Sequence, residues 1–421
     1  MSIPGSIIRV PERKIIDTIE EFVKNSVDLS VPAEEYDEDD FWVGLKSAGT
    51  ELWLDTGDMD GAQKLWNREF SALTTNNTLL NAEIQKGFYD GLVPEADRLL
   101  EGLDIHQRII EIAFVLNAHH ALRLVRRFGA RVSVELHTAL ADDIETTVAY
   151  AERFYRICPS HFIIKIPHTP SGLLATRQVR ARGIPVNYTL EFSARTNYIA
   201  TAIARPDYVN VFLGRLNSFV ADNNLGSGEM VGEKATLASQ RAVTRASGNN
   251  PGPTKQIAAS MRSARQVSDL AGVDVFTMPL KVAQAAKDTL DNTWHCRVDE
   301  DYPVELFPGI APEEIHLEKL WHINENEEAF VKYIRENTPS TTQEIMQALK
   351  DHGIHDFFPA MTSKEKSTIA SDGKIPEYDK WKERIKQGTL AVDSLVNLAG
   401  LASFATDQAA LDTRIKSLIT K

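Results

Sequence analysis

The sequence predicts an α/β chain organised as a single closed (β/α)8 barrel with additional helices before and after it. Three observations support that class. From Glu51 onward, eight short β-branched or apolar runs alternate with stretches of helical apolar spacing. Runs such as Phe162–Ile166 are almost continuously apolar, as parallel strands covered on both faces must be. The polar residues within these runs gather toward their C-terminal ends, where a barrel of this kind carries its chemistry.

In chain order, Ile15, Ile16, Ile19, Phe22 and Val23 recur at helical spacing. Glu34 to Asp40 reads as a solvated acidic loop leading to a short helix near Phe41–Ser47. The expected strands are Leu52–Thr56, Ala72–Thr75, Val132–Leu136, Phe162–Ile166, Pro185–Leu190, Tyr208–Leu213, Gln256–Ser260 and Val273–Thr277. Helical patterns cover Gly61–Phe70, Asn81–Gly91, His106–Phe128, Ile144–Ile157, Gly172–Arg182, Ser193–Ala204, Glu233–Ala246 and Ser263–Leu270. The segment between the second and third strands is long enough for two helices. Gly226–Gly232 and Gly248–Pro253 read as mobile loops. The expected division is 1–50 as an N-terminal extension, 51–290 as the barrel, and 291–421 as a helical extension packed on it. That tail ends in two apolar helices, Val392–Phe404 and Gln408–Ile419, and is expected to carry no independent chemistry.

The formal charge of −13 argues against a general binder of nucleic acid or anionic membrane, while leaving room for a local basic pocket. Cys158 and Cys296 are far apart and in no CxxC, so neither a disulfide framework nor a cysteine metal site is expected, and a reducing compartment fits. Met1 to Lys14 has no apolar h-region and no run of 18 apolar residues occurs, which points to the cytoplasm without a signal peptide or membrane span. His352-x-x-His355-Asp356 has metal-like spacing but no further ligand. Gly226-Ser227-Gly228 lacks the lysine of a P-loop. His119-His120 falls on a helix, and Trp53, Trp66, Trp294 and Trp321 read as packing.

Lys165 stands inside the apolar fourth strand. Isolated burial disfavours an ammonium, and a neutral amine is a nucleophile for carbonyl carbon. The competing reading is a lysine whose stem returns its head to solvent. Asp55 ends the first strand, although an Asp before Thr-Gly is also a common turn former or helix cap. Asn76 follows the second strand in what is equally a turn. Glu135 is a carboxylate within the apolar third strand and needs a cationic or hydrogen-bonding partner, and a structural ion pair with Lys165 is the rival explanation. Asn187 and Thr189 share a face of the fifth strand. Arg215 and Arg262 follow two separate strand ends, with Ser260 beside the second. Together they suit a phosphate; singly, each arginine suits a surface ion pair. All these positions map to one end of one barrel, which supports a Schiff-base enzyme acting on a phosphorylated carbonyl compound.

The motifs that carry these residues are Leu54-Asp55-Thr56-Gly57-Asp58, Thr74-Thr75-Asn76, Ser133-Val134-Glu135, Ile164-Lys165-Ile166, Asn187-Tyr188-Thr189-Leu190, Phe212-Leu213-Gly214-Arg215, Ala259-Ser260-Met261-Arg262 and Leu270-Ala271-Gly272-Val273-Asp274. In this order and spacing they resemble the transaldolase family. Phe404-Ala405-Thr406-Asp407-Gln408 resembles the opening of that family's final helix. The resemblance implies a metal-free enzyme without cofactor that transfers a dihydroxyacetone unit between sugar phosphates in the pentose phosphate pathway. Lys165 would form the Schiff base and Asp55 would take the C4 hydroxyl proton. Glu135 would act through a water held by Thr189. Asn76, Asn187, Asn210 and Phe212 would line the three-carbon unit, and Arg215, Ser260 and Arg262 would hold phosphate. The alternatives are a class I aldolase releasing dihydroxyacetone and a non-catalytic sugar-phosphate-binding regulatory protein. Oligomeric state stays open, a homo-oligomer included.

The sequence departs from the family pattern in places. Asn210 stands where a serine is frequent, and His137-Thr138 where an Asp and Ala are familiar. Pro167-His168-Thr169 replaces a small-residue turn. Glu191 replaces a common leucine, as a rim-exposed group or an extra contact. Residues 1–50 and about 300–386 have no counterpart in the family's short form.

Overall fold

In the computed structural model, which describes residues 8–248 and 252–419, eight parallel strands close into a barrel in chain order. They are β1 (Glu51–Asp55), β2 (Phe70–Thr74), β3 (Arg131–Glu135), β4 (Phe162–Pro167), β5 (Val186–Thr189), β6 (Tyr208–Phe212), β7 (Lys255–Ala259) and β8 (Val275–Met278). The ring closes where β8 pairs with β1, from Glu51 opposite Val275 to Leu54 opposite Met278.

Every expected strand overlaps an observed one, and the boundary shifts have local causes. β5 stops at Thr189 because Leu190 turns into the left-handed region, with φ 70°. At Leu213 the chain enters the helix Leu213–Asp222. Val273 donates its N–H to the Leu270 carbonyl at 3.0 Å, after Gly272 at φ 97°, so the turn delays β8 to Val275. Three helices, not two, separate β2 from β3: Asn77–Gln85, Leu92–Leu99 and Ile105–Phe128. The expected helix Gly61–Phe70 is confined to Met59–Gln63, because Phe70 already opens β2. The two expected last helices are one, Val392–Ile419, since no Gly or Pro interrupts Phe404–Gln408. Within the glycine-rich loop, Gly226 bridges to Leu306. The expected loop Gly248–Pro253 and the leader reading at Met1–Lys14 lie partly outside the described residues.

Trp53, Ala72, Ile163, Tyr208, Ile257, Ala259 and Val275 form an apolar cluster separate from the large core beneath the helices, and they fill the lumen. Two residues further along the same strands come Asp55, Thr74, Lys165, Asn210 and Thr277. The two-residue period thus places a polar layer on an apolar floor. Below the floor, at the N-terminal end of the barrel, Glu51 accepts from Trp53 Nε1 at 2.9 Å, Ser71 Oγ at 2.7 Å and Lys255 Nζ at 2.9 Å, and pairs with Arg131. Arg131 also donates to the Tyr208 hydroxyl at 2.7 Å.

The C-terminal extension is anchored by a buried charge cluster. Arg195, in the helix Ala194–Ala204, donates from Nε and Nη2 to Asp393 at 2.8 Å each, and from Nη1 to Asp356 at 3.0 Å and Glu327 at 3.2 Å. Lys319 adds a second pair to Asp356 at 2.6 Å. Burial opposes ionisation of Asp393 and Asp356, but Arg195, joined by Ser193 and the Ser394 N–H at Asp393 and by Lys319 at Asp356, outweighs it and holds both below the usual carboxylate range. Asp356 of the metal-like motif thus belongs to an ion cluster, and His352 caps its own helix through the Ala348 carbonyl at 2.7 Å. Among the described residues no helix is long and apolar enough to cross a membrane.

Candidate active site

Lys165 lies on β4 with 4% of its surface exposed. Its Nζ donates to the Thr75 carbonyl at 3.2 Å and stands 3.8 Å from Glu135 Oε2. The register sets this up, because Glu135 of β3 and Asn187 of β5 are the direct neighbours of Lys165. The rival readings both fail in part. The stem does not carry the amine to solvent, and the pair with Glu135 is looser than the close contacts around Arg195.

A cleft of about 250 Å³ opens over this amine. Its lining brings together Asp55, Asn76, Lys165, Asn210, Phe212, Arg215, Ser260 and Arg262. Asp55 is open to the cleft yet walled by protein, and accepts from the Thr74 hydroxyl at 2.8 Å. Thr74 in turn bonds Thr277 at 2.6 Å. Burial raises the Asp55 carboxyl above its ordinary range, against the opposing pull of Lys165, the Thr74 hydrogen bond and Arg262. Burial likewise raises Glu135, while Lys165 and the Asn77 N–H, at 3.2 Å, act against it.

Glu135 does not line the cleft. It opens on a neighbouring cavity of about 290 Å³, with Phe404 standing between the two. Asn187 and Thr189 line neither and are fully buried beside them. Asn187 donates to Ser133 Oγ at 3.0 Å and accepts from Asn210 Nδ2 at 2.7 Å. Thr189 Oγ1 is buried without a hydrogen-bond partner, a costly state for a hydroxyl. Asn76 satisfies both of its readings: its Oδ1 caps the helix Asn77–Gln85 through the Leu79 N–H at 2.9 Å, while the residue lines the cleft.

The rim depends on close backbone approach. A Cβ on Gly214 would collide with the Ser260 carbonyl and the Arg262 side chain, so only glycine lets the ends of β6 and β7 meet. Ser260 itself sits at φ 62°. Arg215 is 5% exposed, its Nη1 has no partner, and burial together with the charge of Arg262 lowers it to about 10. Neither Arg215 nor Arg262 makes an ion pair among the described residues. Phe212 lies 5.5 Å beneath the Arg215 guanidinium.

These positions can be set beside known proteins. Residues 52–367 match the family described as transaldolase/fructose-6-phosphate aldolase. The chain belongs to this family. A protein named probable transaldolase from Thermus thermophilus is 33% identical over 258 residues, which is 60% of this chain and 97% of that protein. A transaldolase from Xanthomonas euvesicatoria pv. vesicatoria is 28% identical over 291 residues, 63% of this chain and 87% of that protein. A third, from Xanthomonas campestris pv. campestris, is 30% identical over 234 residues, 53% and 71% of the two chains. Membership of this family and the names of these relatives support an enzyme of transaldolase type.

Several of the departures from the transaldolase pattern turn out to be structural. His137 stands 3.2 Å from Asp412, and Thr169 caps the helix Pro170–Ala181. His168 contacts the Tyr188 hydroxyl at 3.0 Å. Glu191 is neither rim-exposed nor in contact with a donor side chain. It is fully buried, both carboxylate oxygens lack a partner, and burial raises it well above the usual range. Reasoning from sequence did not assign Thr74, Thr277, Lys374 or Phe404 to the cleft. Phe404 comes from the middle of the final helix, not its opening, and its ring lies 5.8 Å from Lys165 Nζ and 5.7 Å from the Arg215 guanidinium. A signal for it existed in the Phe404–Gln408 motif. Lys374 had none.

Proposed function

We propose that the protein is a transaldolase that carries dihydroxyacetone from a ketose phosphate to an aldose phosphate on Lys165. One observation carries this reading: an enclosed amine, 3.8 Å from a carboxylate of raised affinity for protons, in a cleft rimmed by two arginines that make no close ion pair among the described residues.

Attack on the C2 carbonyl requires the unprotonated amine, and Glu135 is placed to take its proton. The carbinolamine then loses water to give a protonated imine. Asp55 takes the C4 hydroxyl proton, the C3–C4 bond breaks, and its electron pair passes to the imine nitrogen as an enamine. The aldose phosphate leaves. The enamine carbon attacks the carbonyl of a second aldose, which receives the proton held by Asp55, and water then frees the lengthened ketose. The unpartnered Thr189 hydroxyl offers a site for that water beside Glu135. Asn76 and Asn210 meet the three-carbon unit, Asn187 orients Asn210 through its amide oxygen, and Arg215, Ser260 and Arg262 receive the phosphate through forked donors. Phe404 covers the amine and shields the enamine from protonation. The imine is itself the electron sink, so no metal is required. Donors of this class are sedoheptulose 7-phosphate and fructose 6-phosphate; acceptors are erythrose 4-phosphate and glyceraldehyde 3-phosphate, as in the cytoplasmic pentose phosphate pathway. Phe212 lacks a hydroxyl that could deliver a proton to the enamine, which favours transfer over release of dihydroxyacetone.

Borohydride reduction in the presence of fructose 6-phosphate should leave a three-carbon adduct that peptide mass mapping places on Lys165. Adding erythrose 4-phosphate should yield sedoheptulose 7-phosphate without free dihydroxyacetone. An adduct on no lysine refutes the mechanism, and release of dihydroxyacetone in place of transfer makes the protein an aldolase.

A further inference from the structure

Far from Lys165, four arginines line one cavity of about 570 Å³: Arg177, Arg180, Arg205 and Arg335. Arg177 and Arg180 lie in the last turns of the helix Pro170–Ala181, which leads into β5, and Arg205 follows the helix Ala194–Ala204, which leads into β6. Those loops enter the strands, so the cavity sits at the end of the barrel opposite the cleft. Arg335 comes from the helix Glu325–Glu336 of the C-terminal extension.

The lining contains no carboxylate-bearing residue. Arg180 alone has an acidic partner, Asp207 at 2.9 Å. Arg177, Arg205 and Arg335 make no ion pair among the described residues. In a chain with 59 acidic residues against 46 basic ones, this grouping runs against the overall balance. Part of it serves the backbone: Arg180 donates to the Ile184 and Arg205 carbonyls at 2.9 and 3.1 Å, Arg335 to Ala246 at 3.1 Å, and Arg177 to Pro339 at 2.6 Å. Helix C-termini carry only about half a negative charge each and are partly screened. With Arg180 balanced by Asp207, three uncompensated charges leave the cavity positive. Arg177 Nη1 also remains buried with no hydrogen-bond partner. A buried guanidinium nitrogen left free, on an arginine that makes no ion pair among the described residues, also occurs in the catalytic cleft at Arg215.

We propose that this cavity binds a small ligand carrying two phosphate groups. Three guanidiniums without a carboxylate, carried on three separate elements, suit two phosphate groups spaced across the cavity, and forked donors match phosphate oxygens. The space is twice that of the catalytic cleft and lies within the range of small-molecule sites. Such a ligand would bridge the barrel to the C-terminal extension through Arg335.

Calorimetric titration of the full chain with sodium pyrophosphate tests the assignment. Pyrophosphate should bind saturably and more tightly than inorganic phosphate, with affinity falling as salt rises. Arg205→Gln combined with Arg335→Gln should weaken it by about tenfold or more. In Arg262→Gln, which disables only the phosphate end of the cleft, the binding event that Arg205→Gln with Arg335→Gln weakens should persist with the same affinity. In the unaltered protein, pyrophosphate should protect Arg205 and Arg335 from phenylglyoxal, a readout independent of how the variants fold. Parallel titrations with adenosine diphosphate and fructose 1,6-bisphosphate distinguish a nucleotide from a sugar source, and binding of neither assigns the site to free diphosphate. Absence of saturable pyrophosphate binding, unaltered affinity in the double variant with no protection, or loss of binding in Arg262→Gln overturns the proposal.

Discussion

At the lower end of the barrel lumen, Glu51 has donors on every side: Trp53, Ser71, Lys255 and Arg131. At the upper end, one apolar layer away, Asp55 and Glu135 share the field of one lysine, and the Thr189 hydroxyl and one Arg215 nitrogen are left without partners. Both ends hold charge in a protein interior. Burial pushes Glu51 upward, yet its hydrogen bonds and Arg131 bring it down to about 2. In Asp55 and Glu135 burial prevails and the carboxyls move up. Saturated buried charge fixes structure, and unsaturated buried charge waits for a ligand. The Arg195 cluster belongs with the lower end by its engaged donors, although burial raises its Glu327 carboxyl.

The sharpest way to break this contrast is Lys165→Ala. It should lower transferase turnover by more than about 10³-fold, while the melting temperature holds or rises. A drop of several degrees would place Lys165 with the structural charges and end the distinction. Glu51→Gln should do the reverse. Its lowered carboxyl accounts for about 3 kcal/mol of stability at neutral pH, which urea unfolding should reveal, with KM unchanged. Because the folded value is depressed, that contribution is present above 4.5 and is lost as pH falls toward about 2; the variant should lose this acid dependence.

Asp55 has the opposite sign. Its folded-state affinity for the proton is raised, so its stabilisation is greatest below 3.8 and is lost as pH rises through the higher folded value. Since catalysis needs the ionised form, kcat/KM should climb with pH through a midpoint above 3.8, and a midpoint below it would contradict the burial argument. The smallest effect belongs to Glu191→Leu. Removing a buried carboxyl with no partner should add about 1–3 kcal/mol, measured by urea unfolding with activity retained.

The barrel was legible because strand and helix carry different apolar periods, and because polar residues such as Lys165 and Glu135 interrupt otherwise apolar strands. The residues at strand ends were equally legible, since β-register converts chain position into position around the ring. Two kinds of residue were not. Lys374 and the placement of Phe404 over Lys165 depend on how a distant helix docks, which no local pattern encodes. Glu191 reads as polar, and polar residues at strand ends usually meet solvent or a partner. Its burial follows from the turn at Leu190 and the helix packed across it, where Gly400 faces Leu190 and Arg215 at 2.9 and 3.1 Å from an imagined Cβ. The boundary shifts likewise arise where the backbone, not a side-chain pattern, sets the limit: a turn ends β5, a helix start ends β6 and a turn delays β8.

The final helix, Val392–Ile419, starts at the Arg195 anchor through Asp393 and reaches the catalytic lysine through Phe404. Asp407 further along bonds Thr78 beside Asn76. One rod thus joins two distant places: its start is held in an ion cluster on the flank of the barrel, and its middle supplies an aromatic wall of the cleft over Lys165. Loosening that cluster would tilt the wall and let water in over the amine, so the chemistry of the cleft is tied to the integrity of charges far from it.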